Sequence, residues 1–157
     1  MRLRFVCANR RMQWKSDARE AREDWQRHFS NAEIASAGQA DHAAIHQAGC
    51  ALEAAELLLF THGRRATADL QRFSDASALL CRLLLRIDQP RLACSVIGGT
   101  VASLQELRAQ GVQPALALSH CQCLITAIDP VKAAGTVPGF AFARPVSAST
   151  PAVAATK

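Results

Sequence analysis

His42 and His46 stand four residues apart in a helical pattern, the spacing at which two imidazoles can share a divalent metal. The run reads His-Ala-Ala-Ile-His, so it lacks the Glu beside the first histidine that a helical metalloprotease motif requires. A third ligand would have to come from His120-Cys121-Gln122-Cys123, where helical geometry turns Cys121 and Cys123 about 200° apart and discourages joint coordination. Adjacent helical positions do not face each other, so His120 and Cys121 do not make a thiol–imidazole pair. No Gly-x-Ser-x-Gly elbow, phosphate-binding loop or dinucleotide fingerprint occurs, and Gly98-Gly99 lies inside a helical pattern. The expectation is no enzyme activity, no metal and no cofactor.

The elements that carry these residues are helices. The chain has 157 residues, half of them hydrophobic, and no Tyr, while Ala and Leu dominate, which favours closely packed helices over a sheet. Trp14, Ala18, Ala21, Trp25, Phe29 and Ala32 recur at three- and four-residue steps and predict a first helix from about Trp14 to Ala37. Gly38-Gln39-Ala40-Asp41 is the turn. A second helix, from about His42 to Thr61, buries Ile45, Ala48, Leu52, Ala55 and Leu59, with His42, His46, Gly49, Glu53 and Glu56 as its polar stripe. Gly63 suits its C-cap. A looser connection to Arg72 leads to a third helix capped by Ser74 or Asp75, and Pro90 opens a fourth that runs to about Gln110. Within the fourth, Gly98-Gly99 is expected to admit a neighbouring helix closely or to mark a kink. A fifth runs from Pro114 to Asp129.

A ladder of small residues occurs twice with the same spacing. Ala32, Ala44 and Ala51 are separated by 12 and 7 positions, and so are Cys81, Ala93 and Thr100, 49 positions later. Each ladder straddles a turn between two helical patterns. This spacing, with Trp25 near the start, resembles the tetratricopeptide repeat family, whose pattern puts a small residue in its first helix and two more in its second. The resemblance covers about residues 25–61 and 74–109 and implies a scaffold that binds other proteins. It departs from the family in period, since tetratricopeptide repeats follow one another at about 34 residues, and in the aromatic positions, which are mostly Ala or Leu here. The fold class predicted is all-α, built of antiparallel helix pairs as a solenoid fragment or bundle of about five helices. The domain spans residues 13–129, between a flexible basic extension over 1–12 and a disordered Ala/Pro/Ser-rich tail over 130–157.

The net charge of +5 divides as +4 over residues 1–27, −2 over 28–129 and +3 beyond. A nucleic-acid domain places its bases on a face of the core, and here they sit in the ends. Arg2, Arg4, Arg10, Arg11 and Lys15, interleaved with Leu3, Phe5, Val6 and Trp14, form a basic arm whose contact with nucleic acid is the alternative function. Six cysteines occur without a secretory signal, and four of them lie inside apolar helical patterns, so buried, reduced thiols are the reading and the cytoplasm is the default location. No run of about 18 apolar residues predicts a membrane span. The leading expectation is a non-enzymatic interaction scaffold, an adaptor or chaperone-like protein, with a protein partner or a second copy of itself. Trp25, His28 and Arg82 are candidates for a concave face built by the first and third helices. Leu118, Cys121 and Ile125 are candidates on the fifth helix, which is apolar on most sides.

Overall fold

Asp17, extended at φ −131° and ψ 102°, divides the first expected helix into α1 (Ala8–Ser16) and α2 (Ala18–Ala37). Its carboxylate accepts the backbone N–H groups of Arg19 at 2.8 Å and Glu20 at 3.2 Å, an N-cap that satisfies two donors of the new helix. Three further helices follow: α3 (Asp41–Thr61), α4 (Thr67–Arg86) and α5 (Pro90–Ala109). The computed structural model describes residues 4–61, 67–111, 115, 119–122, 124 and 126, which are helical or in turns and short connections. The tail over 130–157, Gly63, Pro114 and Asp129 lie outside the described residues.

The sequence periodicity is a structural one. The starts of α2 and α4 lie 49 residues apart, as do the starts of α3 and α5. The turns repeat bond for bond. Ala40 N–H donates to the Ala35 carbonyl and Gln89 N–H to the Leu84 carbonyl, both at 2.9 Å, while Gln39 N–H reaches Ser36 and Asp88 N–H reaches Leu85. Gln39 and Asp88 are left-handed at φ 58° and 56°. Each turn is therefore a Schellman motif that ties off the last carbonyls of its first helix. All six rungs of the small-residue ladder are buried, none more than 3% exposed. Cys81 Sγ lies 3.6 Å from the Ala93 carbonyl, and the hydroxyl at Thr100 is satisfied by Ser77 Oγ at 2.8 Å and the Val96 carbonyl at 2.9 Å. α2 with α3 and α4 with α5 form two consecutive helical hairpins. Their 49-residue spacing comes from helices of 20 and 21 residues, not from a long intervening loop.

Several expectations need correction. The third helix is not capped at Ser74 or Asp75 but begins at Thr67, and Ser74 is buried in its interior. Asp69 in its first turn is held by Arg72 at 2.7 Å and Arg22 at 3.7 Å, so an acid that looks like a loop residue sits inside the packing. Gly98 and Gly99 neither break α5 nor admit a helix, since a Cβ at either would meet open space. The basic opening is helical from Ala8 onward, because Arg10 and Arg11 find carboxylates on α2 and α3.

α3 lies between α2 and α4, its most extensive neighbours, and α1 packs on α2 and α3. By length and composition α3 could cross a membrane, but most of its surface is covered by the rest of the chain. One part of the core joins Trp14, Leu58, Phe73, Leu104, Leu107 and Leu124, and a second joins Ala32, Ala44, Leu80, Leu84 and Ile97 at the turn end. α5 packs on α4, whereas the backbones of α3 and α5 stay apart. That separation positions the site.

Candidate functional site

The gap between α3 and α5 is a groove floored by α4. Gly49, Leu52, Glu53 and Glu56 follow one another at three- and four-residue steps, which puts them in one line along α3. Ser95, Val96, Gly99, Thr100 and Ser103 form the facing wall on α5 by the same spacing, and Phe73 and Leu80, two turns apart on α4, make the floor. The resulting cavity has a volume of about 360 Å³ and is open to solvent. Its floor is apolar and its walls are rich in small and hydroxylated residues.

One end of the groove is filled by the chain itself. The Phe5 ring lies directly on Gly49, where any Cβ would overlap it. Glu53 Oε1 accepts the backbone N–H of Phe5 and, at 3.3 Å, that of Val6. Its other oxygen is paired with Arg11, and Arg4 stands 3.9 Å away. The Phe5 carbonyl lies 3.8 Å from Cys50 Sγ, and the His46 ring meets the Phe5 ring edge-on with centroids 6.5 Å apart. Glu53 is only 3% exposed, so these partners replace the water that its charge has lost. Burial, with the Glu53 charge nearby, pushes the Cys50 thiol up to about 11.

Behind this segment, α1 is fastened by a second buried carboxylate. Asp24 accepts the Trp14 indole N–H at 2.8 Å and Arg10 Nε at 2.8 Å, and is also paired with Arg27. Burial raises the Asp24 pKa, but the Trp14 and Arg10 hydrogen bonds and the Arg27 and Arg10 charges outweigh it, so the carboxyl titrates below its ordinary value. Trp14 is fully buried, with the Arg10 guanidinium 5.9 Å from its ring centre and His28 edge-on to it. The non-helical segment before Ala8 is thus carried on an anchored helix.

No protein-family model, curated protein or solved structure matches the chain.

The residues singled out from sequence are dispersed. Trp25 is 8% exposed, stacked on Phe29 at 5.0 Å and covered by Arg72, whose guanidinium lies 5.5 Å from the ring centre. His28 Nδ1 is 2.6 Å from Gln47 Oε1 and so faces α3. Arg82 is exposed on α4, ten residues and about 15 Å of helix beyond Arg72. These three do not form one face, and the open groove runs between α3 and α5, not along α2 and α4. Cys121 is half-buried against the core, and burial raises its thiol pKa. Leu118 and Ile125 lie outside the described residues. Leu124, on the same stretch, is buried against this chain's own core, and so is His120, which removes much of the reason for an uncovered fifth helix. His42 and His46 are both exposed, and no group of three metal-ligating side chains occurs among the described residues.

Sequence reasoning missed Phe5, Gly49 and Glu53. It assigned Gly49 and Glu53 to a solvated stripe, and both are buried. The available signal was complementarity: an arm with Arg4, Phe5 and Arg11 matches a helix face offering a glycine and two glutamates.

Proposed function

We propose that this chain is a non-enzymatic interaction scaffold, of the helical-repeat kind that tetratricopeptide proteins represent, and that it binds a non-helical protein segment in the groove between α3 and α5. One observation carries the reading: the groove already holds a non-helical segment, Phe5 and Val6, through main-chain hydrogen bonds to Glu53 and a ring seated on Gly49. Main-chain donors give affinity for any extended peptide, and the pockets beside them give selectivity. The cavity next to Phe5 supplies such a pocket. Two consecutive hairpins with the same ladder and the same turns support the repeat-like character. The buried thiols of Cys50 and Cys81 support a reducing, cytoplasmic setting.

The alternative, an N-terminal arm that touches nucleic acid, loses weight because Arg10 and Arg11 are engaged by Asp24 and Glu53. Selection of a displayed peptide library on the full chain tests the scaffold reading, with a Gly99→Trp variant as control. The new indole enters open space on the α5 wall and fills the groove. Selected peptides should bind the variant at least ten-fold more weakly. Peptides that bind both proteins equally, or the absence of any selected peptide, would refute the groove.

A further inference from the structure

Resting on the groove reading, we infer that the Gly49–Glu53 cradle is a recognition site for a non-helical segment that carries an aromatic residue, and that Phe5-Val6 occupies it in cis. The chemistry of the cradle sets this partner. Gly49 has no side chain, so a flat ring can rest on the α3 backbone, and any larger residue there would exclude it. Four positions on, Glu53 offers a buried carboxylate, one oxygen of which is paired with Arg11 of α1 while the other takes two backbone N–H groups. Neither N–H depends on which residue supplies it. The aromatic shape is the part that discriminates.

The cis segment is built to leave. It precedes Cys7, the N-cap of α1, whose side chain makes no capping bond, so the joint between segment and helix is not locked. The anchors of α1, Trp14 and Arg10 on Asp24, lie beyond that joint and do not depend on it. Phe5 itself is only partly buried, and the cavity continues past it over Phe73, Leu80 and Val96. A partner that seats its own aromatic residue on Gly49 can thus extend into space the cis segment leaves unfilled. Further along, the groove is rimmed by Glu56 and Glu106 together with Arg11 and Lys15. A tethered competitor acts at an effective concentration on the order of millimolar. If it is docked nine-tenths of the time, apparent affinity in trans falls about ten-fold.

The test titrates a fluorescein-labelled, acetylated Leu-Arg-Phe-Val-Ala peptide against the full chain and its Phe5→Ala variant, read by anisotropy. Phe5→Ala should bind about ten-fold more tightly than the wild type. Adding Glu53→Gln, or Gly49→Leu, to that variant should remove the gain, and a peptide with Ala in place of Phe should bind neither protein. In the wild-type chain, saturating peptide should speed hydrogen exchange at the Phe5 and Val6 amides, a readout that needs no variant. Equal binding by wild type and Phe5→Ala, with those amides still protected, overturns the inference. If selected peptides nevertheless remain sensitive to Gly99→Trp, the groove reading stands without it; if no Gly99-dependent ligand exists, both fall.

Discussion

Glu53 and Arg11 join residues 42 positions apart, and a double-mutant cycle on this pair measures how firmly α1 is held to α3. The Glu53 side chain is 4% exposed and that of Arg11 19%, which places the pair nearer the buried than the surface limit. Exposed pairs couple by about 0.2–1 kcal/mol, whereas stripping one partner from a buried pair costs about 3–5 kcal/mol. The remaining exposure of Arg11, and the freedom of the segment to swing into water, argue for a coupling of about 2 kcal/mol. Arg11→Met should be the costlier single change, at about 3 kcal/mol, because it leaves a carboxylate charge buried. Glu53→Gln keeps an oxygen for the Phe5 N–H and should cost about 2 kcal/mol. Urea unfolding followed by tryptophan fluorescence is the assay, since Trp14 sits on α1. With a slope of about 2 kcal/mol per molar, Arg11→Met should lower the midpoint by about 1.5 M. Arg4→Ala is the control: at 3.9 Å and 51% exposed, it should fall within about 0.5 kcal/mol of wild type. A coupling below about 0.5 kcal/mol would refute the claim that Glu53 fastens α1.

Three further outcomes follow from the geometry. Gln39→Gly and Asp88→Gly should each stabilise the fold by about 0.5–1 kcal/mol in thermal unfolding, Gln39→Gly by more, because Asp tolerates the left-handed region better than Gln. The depressed Asp24 pKa means its contribution is complete above the ordinary carboxylate range and is lost as pH falls through the folded value; Trp14 emission should therefore change on acidification below pH of about 4, and Asp24→Asn should flatten that limb. Iodoacetamide at pH of about 8 should label exposed Cys7 and Cys94 first, while Cys50, raised to about 11, and Cys81, raised to about 12, lag. Phe5→Ala should speed labelling of Cys50 alone, read by mass spectrometry.

The hairpins were legible because small residues mark where helices approach: Ala32, Ala44 and Ala51, and their counterparts 49 positions on, are all buried as the spacing implied. The turns were legible for a related reason, since Gly38-Gln39-Ala40 and Asp88-Gln89-Pro90 interrupt strong helical periods. The start of α4 was not, because Asp69 and Ser77 look like loop residues until the arginines and Thr100 that satisfy them are brought near by the fold. The groove was hidden for the same reason. Phe5 and Gly49, or Arg11 and Glu53, are linked only by tertiary contact, and a polar stripe covered by the chain's own arm has the same sequence as one covered by water. Trp25 illustrates the converse. An aromatic near the start of a repeat reads as a docking residue, yet Phe29 and Arg72 enclose it.

Methyl chemical-shift mapping of the full chain with a library-selected peptide tests the central claim most directly. Binding in the groove predicts shifts at Leu52, Leu80 and Val96, which line its walls and floor, together with displacement of the Phe5 amide signal. Shifts confined to α2 and α4 around Trp25 and Arg82, with Leu52, Leu80 and Val96 unmoved, would contradict it.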